Sequence, residues 1–184
     1  QMLEDAVRYI DGEILSEYKR NKHVYSEDIM LNWLYVRSFF PSIKASGEFG
    51  SLKNVALKAI VKGWKKYGIY GKATAATLLY RENYPMEARS VLESLRQTAL
   101  SSPERGVWFD NLRSGIFSPD NVLVTTAQAL EAFAEIEPGS PMIDGMRQWL
   151  VIQRQAQDWG SDQQLAEVVY VILSSGSDWT VADT

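Results

Sequence analysis

One pattern occurs twice in this chain: a helix, a proline turn, a second helix and a tryptophan corner. The later copy reads TTAQALEAFAEI from Thr125, a stop at Pro138-Gly139, MIDGMRQWLVIQRQ, and then Trp159-Gly160. The earlier copy reads GKATAATLLYRENYPMEARSVLESLRQTAL, followed by a corner from Gly106 to Trp108. Thr74 and Thr126 stand 52 residues apart, and Trp108 and Trp159 stand 51 apart. A period of this size belongs to stacked helix pairs, none of which can bury its apolar face alone. A looser third copy begins at IMLNWLYVRSFFP, residues 29–41. The predicted fold is therefore all-α, with antiparallel helix pairs forming part of an α/α toroid. The chain, residues 1–184, reads as a single helical domain excised from a larger multidomain protein.

The elements follow from periodicity. Leu3, Val7, Ile10, Ile14 and Tyr18 recur every three or four residues and predict a helix over 3–18. Ser26 is a candidate N-cap for a largely apolar helix from Ile29 to Phe39, which Pro41 ends. Residues 42–51, with three Ser and two Gly, read as loop, and 52–66 read as helix. Gly68 and Gly71 bound a short turn, Ala73 to Tyr80 is a small-residue helix, and Met86 to Leu100 is amphipathic. Met142, Met146, Trp149 and Leu150 make one buried stripe. Ser161 and Gln164 form a capping box for a last helix through Val168 to Leu173, apolar on all sides and so predicted to be buried all round. Its β-branched content also admits a strand; the cap favours helix. The predicted core includes Trp33, Tyr35, Leu78, Leu95, Leu130, Phe133, Trp149, Leu150, Val169 and Ile172.

Residues 101–122 carry two Pro, two Gly and no helical period. VWF and GIF are candidate strands of a short hairpin within 105–118, with DNLRS between them. The segment reads either as a binding loop or as a packed corner whose aromatics cap the core.

The chemistry is sparse. A net charge of −4 with no basic block argues against a nucleic-acid or membrane-surface partner. Lys65-Lys66, the densest basic run, reads as a solvated face. No apolar run reaches the 18 or so residues that span a bilayer, so this segment is expected to insert in no membrane. The chain has no cysteine, which removes disulfides, thiolate ligands and a cysteine nucleophile. Its one histidine, His23, has no partner near it in sequence. No metal, cofactor or catalytic residue is expected, since no phosphate-loop, dinucleotide, nucleophile-elbow or zincin string is present. Glu131 and Glu135 lie one turn apart on one helix. Such a pair is either acid/base machinery for a sugar or, more commonly, solvated surface, because glycosidase carboxylates face each other from different elements. Asp158 and Asp162 flank Trp159-Gly160, with Asp162 suited to the first turn of the last helix. Trp33, Trp64 and Trp149 read as core, while Trp108, Trp159 and Trp179 read as corner plugs rather than sugar-stacking platforms.

The strings MLNWLYVRSFFP (30–41), SVLESLRQTAL (90–100), RGVWF (105–109), TTAQALEAFAEI (125–136) and MRQWLVIQRQAQDWGSDQQLAEVVYVILSSGSDW (146–179) together resemble bacterial α2-macroglobulins of the Bacteroidetes type. The likeness covers roughly 20–180 and is to the C-terminal part of the α/α-toroid thioester domain. It implies a non-catalytic scaffold portion of a protease trap, an endopeptidase inhibitor that is cut in a bait region elsewhere and collapses around its attacker. Thioester-bearing members acylate the protease through a Cys-x-Glu-Gln motif; with no cysteine here, no residue of that motif carries over. The implied partners are neighbouring macroglobulin domains and, through the whole protein, proteases. The implied place is periplasmic or cell-surface, as a secreted protein or lipoprotein. An α/α-toroid enzyme such as a glycosidase, or a plain helical interaction module, are the alternative readings.

Overall fold

The computed structural model describes residues 2–21, 27–110, 121–156 and 162–175. These form helices α1 (Met2–Asn21), α2 (Glu27–Ser38), α3 (Gly47–Gly63), α4 (Ile69–Arg81), α5 (Pro85–Arg96), α6 (Val122–Ile136), α7 (Met142–Ala156) and α8 (Asp162–Ser175). A 3-10 turn, Trp64–Lys66, follows α3, and a two-stranded ribbon, β1 (Leu100–Ser102) and β2 (Gly106–Trp108), follows α5. Among the described residues the fold is all-α apart from that ribbon. In space α2 packs on α4, α4 on α6 and α6 on α8, giving an inner row. The intervening helices back it, α3 against α2, α5 against α4 and α7 against α6.

The inner row is tight because its central members are small. On α4, Ala73, Thr74, Ala75, Ala76 and Thr77 are fully buried, and on α6 so are Ala127, Ala129 and Ala132. Short side chains let two helix axes approach closely. The threonines fit because Thr74 and Thr77 donate their hydroxyls back to the carbonyls of Tyr70 and Ala73, at 3.0 and 3.3 Å. Larger residues fill the space between rows: Leu78, Leu79, Leu92, Leu95, Leu130, Phe133, Met146 and Leu150 are all inaccessible.

Local chemistry sets the turns. After α4, Asn83 takes a left-handed φ of 64°. The N–H of Tyr84 then reaches the Leu79 carbonyl at 2.8 Å and that of Asn83 the Tyr80 carbonyl at 3.2 Å. This closes the helix with paired bonds to otherwise orphaned carbonyls. Pro85 starts α5, where its missing N–H costs nothing. Asn121 caps α6, its Oδ1 accepting from Leu123 N at 2.8 Å and Val124 N at 3.4 Å.

Several boundaries differ from the expectation. Helix α3 starts at Gly47, inside the stretch expected to be loop, because Ser46 Oγ caps it by accepting from Phe49 N at 3.2 Å and Phe49 is fully buried. Gly71 lies within α4 rather than closing a turn. Helix α5 stops at Arg96, not Leu100: Thr98 Oγ1 bonds the Leu95 carbonyl at 3.0 Å, and the chain leaves as a strand. The ribbon pairs Leu100 with Trp108, Ser101 with Val107 and Ser102 with Gly106. Of the expected hairpin, the VW portion is a strand, but its partner is upstream; the GIF string lies outside the described residues.

The core expectation holds for Leu78, Leu95, Leu130, Phe133, Trp149 and Leu150. Trp33, Tyr35 and Ile172 are half-buried, and Val169 is exposed. Helix α8 is thus buried on one side only, through Val168 and Val171. The all-round apolar pattern does not translate into all-round burial, because α6 is the inner helix packed against it.

Candidate functional site

The densest polar cluster lies where α2, α4 and α6 bring their C-terminal turns together. Arg81 is the last residue of α4. Its guanidinium grips Glu135 of α6 with two prongs, Nε to Oε1 at 2.9 Å and Nη2 to Oε2 at 2.7 Å. The same Nη2 donates to Glu131 Oε1 at 2.9 Å, and Nη1 donates to Ser38 Oγ at 3.0 Å. Glu131 Oε2 accepts from Gln128 Nε2 at 2.9 Å and from the Tyr35 hydroxyl. Tyr35 and Phe39 meet edge to face, and the guanidinium lies 4.2 Å from the Phe39 ring centroid. Beside the cluster an open recess of about 410 Å³ is lined by Arg81, Glu131, Glu135, Pro138, Tyr170 and Ser174.

Helix C-termini carry partial negative charge. Three converge here together with two carboxylates, so a cation is required, and Arg81 supplies it. Burial works against the charged form of Arg81. The hydrogen bonds and charge of Glu135, and then the charge of Glu131, outweigh it and raise the guanidinium above its ordinary value. Burial, and then the Glu131 carboxylate, push the Tyr35 phenol well above the usual phenol range.

The expectation of a solvated Glu131–Glu135 pair is corrected: Glu131 is 8% exposed, and both carboxylates are tied to Arg81. The acid/base alternative gains nothing from this geometry. All four carboxylate oxygens accept hydrogen bonds from groups of this chain, and the two side chains converge on one guanidinium instead of facing each other across a cleft. No family model, curated protein or solved structure matches this chain. The reading of the site therefore rests on its own geometry.

The first tryptophan corner is packed. Trp108 stacks on Trp149 with centroids 6.5 Å apart and planes at 14°, and the Arg105 guanidinium lies 4.5 Å from the Trp108 ring. Gln148 Nε2 donates to the carbonyls of Pro103 and Glu104, both at 3.3 Å. These contacts fix the described part of 101–122 as a corner against α7. Trp64 and Trp149 are core, as expected. Lys65 and Lys66 are exposed. Asp162 opens α8. His23, Ser26, Asp158, Trp159, Ser161 and Trp179 lie outside the described residues. Among the described residues no three His, Asp or Glu side chains gather as metal ligands would. No described helix is long and apolar enough to cross a membrane.

Sequence reasoning missed Arg81, Tyr35, Ser38 and Gln128 as partners. A signal existed: a glutamate inside a helix as apolar as 122–136 demands a counter-charge, and Arg81 closes the helix one repeat earlier.

Proposed function

We propose that this chain is a non-catalytic scaffold segment of a bacterial α2-macroglobulin-like protease trap, an endopeptidase inhibitor acting outside the cytoplasm. The observation that carries the scaffold reading is the Glu131–Arg81–Glu135 clamp, which commits both of these carboxylates to holding α4 and α6 together. The family assignment is supported by the strings at 30–41, 90–100, 105–109, 125–136 and 146–179. The alternation of inner and outer helices is the architecture that the resemblance implies. In this reading the segment moves as a rigid block. Its task is to present surface to neighbouring domains when a cut elsewhere lets the trap close.

Two experiments test it. The purified chain is incubated with oligosaccharide and prenyl diphosphate panels; no turnover is expected, and turnover lost in Glu131→Gln or Glu135→Gln overturns the scaffold reading. The native parent protein is incubated with a protease that is then assayed on a small peptide and on a large protein. Retained peptide cleavage with lost protein cleavage is the trap signature, and equal loss or no change of both overturns the trap assignment. With no cysteine in the chain, methylamine should leave its intact mass unchanged.

A further inference from the structure

The net charge of −4 is the balance of two unequal parts. Residues 49–81 hold six Lys and one Arg and no Asp or Glu, so this segment carries +7 and the remainder carries −11. The fold neutralises only part of the segment. Lys53 pairs with Glu82, and Arg81 is committed to Glu131 and Glu135. Lys72 donates to Ser94 Oγ at 3.0 Å and lies 6.0 Å from the Trp64 ring centroid. Lys58, Lys62, Lys65 and Lys66 remain. All four are exposed, and none forms an ion pair among the described residues.

Local structure gathers these four. In the sequence they are mostly three and four residues apart and form no basic block; the helix brings them onto one side. Phe49, Leu52, Ala56, Leu57 and Ile60 turn one side of α3 into the core. Lys58, Lys62 and Lys65 stand at i, i+4 and i+7 on the opposite side, and Lys66 follows in the 3-10 turn. Val55, 51% exposed, and Ala59 lie among them. Between Val55 and Lys66 this face holds four ammonium groups, two small apolar side chains and no carboxylate of its own helix.

We propose that this outer face of α3 adsorbs to the anionic headgroups of a phospholipid bilayer, holding the chain against a membrane surface without crossing it. The cations are all lysine. An ammonium is a compact, hydrated point charge that suits a field of phosphates, whereas recognition of one phosphate in fixed geometry favours the forked guanidinium. The face offers no stacking platform, because Trp64, the aromatic nearest the row in sequence, is buried. Single-stranded nucleic acid is held by exposed aromatic rings as well as by charge. Val55 and Ala59 are small enough to lie against the headgroup layer, as the apolar residues of surface-bound helices do. The remainder of the chain is repelled by the same surface, so the field turns α3 towards the bilayer. Adsorption of this kind does not depend on the trap assignment.

The test is co-sedimentation of the full chain with vesicles of phosphatidylcholine alone and with vesicles that also contain phosphatidylglycerol. Adsorption is expected to the anionic vesicles only, and it should weaken as salt rises. A lysine beside an anionic bilayer strengthens binding by roughly fivefold, so Lys58→Gln, Lys62→Gln, Lys65→Gln and Lys66→Gln together should lower the partition coefficient by roughly a hundredfold or more. All four positions are exposed, so circular dichroism and Tm should match the wild type. Lys19→Gln, Arg20→Gln, Lys44→Gln and Arg89→Gln together change the net charge equally from other exposed sites and should lower the coefficient by less than roughly tenfold. No adsorption to anionic vesicles at low salt overturns the proposal. So does equal adsorption to phosphatidylcholine vesicles, and so does an equal loss in the two quadruple variants. A single-stranded oligonucleotide or polyglutamate that strips the chain from the vesicles at equal anion concentration overturns the bilayer as its partner.

Discussion

Gly106 and Gly145 touch backbone to backbone: a Cβ on Gly106 would fall 2.2 Å from the Gly145 carbonyl oxygen, and one on Gly145 would fall 2.5 Å from Val107 Cγ2. Gly106 also sits at a φ of +84°, which L side chains rarely adopt. This contact lets the ribbon lie against α7 and brings Trp108 onto Trp149. Gly106→Ala should destabilise the fold by roughly 2–4 kcal/mol, since strain and a backbone clash add. Gly145→Ala should cost less, because Gly145 has no positive φ and its clash is with the Val107 side chain, not with a carbonyl oxygen. Urea unfolding followed by tryptophan fluorescence measures both, and a loss below about 0.5 kcal/mol for Gly106→Ala would mean that the corner is not packed this way.

Arg81 neutralises two carboxylates at once. Replacing it with Met leaves both without their cation and should cost about 3 kcal/mol, toward the low end for a broken buried pair because Glu135 is 29% exposed. Arg81→Lys should recover only part of this, since an ammonium cannot make the forked contact. Adding Glu131→Gln and Glu135→Gln to Arg81→Met should restore stability relative to Arg81→Met alone. An unchanged triple variant would show that the cost lies in lost packing on Phe39, not in stranded charge.

Tyr35 gives a pH dependence with a defined sign. Its phenol titrates well above the ordinary range in the fold and near 10 in the unfolded chain. Above pH ~10 the unfolded state loses a proton that the native state keeps, so this contribution is full below ~10 and falls as pH rises. Tyr35→Phe should cost about 1–2 kcal/mol at neutral pH and should flatten the decline in unfolding free energy between pH 9 and 11. Identical slopes in the two proteins would contradict the buried, carboxylate-facing phenol.

Thr125 Oγ1 is buried and has no hydrogen-bond partner among the described residues. A buried hydroxyl without a partner costs free energy that an isosteric methyl does not. Thr125→Val should therefore be neutral or stabilising by up to ~1 kcal/mol, whereas Thr126→Val should destabilise by a similar amount, because Thr126 Oγ1 accepts from Phe109 N at 3.4 Å. Chemical denaturation midpoints for the two variants should move in opposite directions, and a destabilised Thr125→Val would imply a partner for that hydroxyl.

The amino-acid order by itself determined the helices, their pairing and most of the core. Periodicity, the Pro138-Gly139 stop and the repeat spacing are local or near-local signals, and each acts through backbone geometry or one helix face. That is why Leu95, Leu130 and Leu150 could be placed inside without a structure. Tertiary structure alone decided what depends on partners far apart in the chain. Glu131 and Glu135 look like surface residues until Arg81, about fifty residues earlier, is brought beneath them. β2 pairs with Leu100–Ser102 and lies against α7 at Gly145, a contact between segments about forty residues apart. The stripe from Val168 to Leu173 reads as buried all round, yet Val169 and Leu173 are exposed. Apolar composition states how much surface a helix could bury; the neighbours that the fold supplies determine how much it does bury.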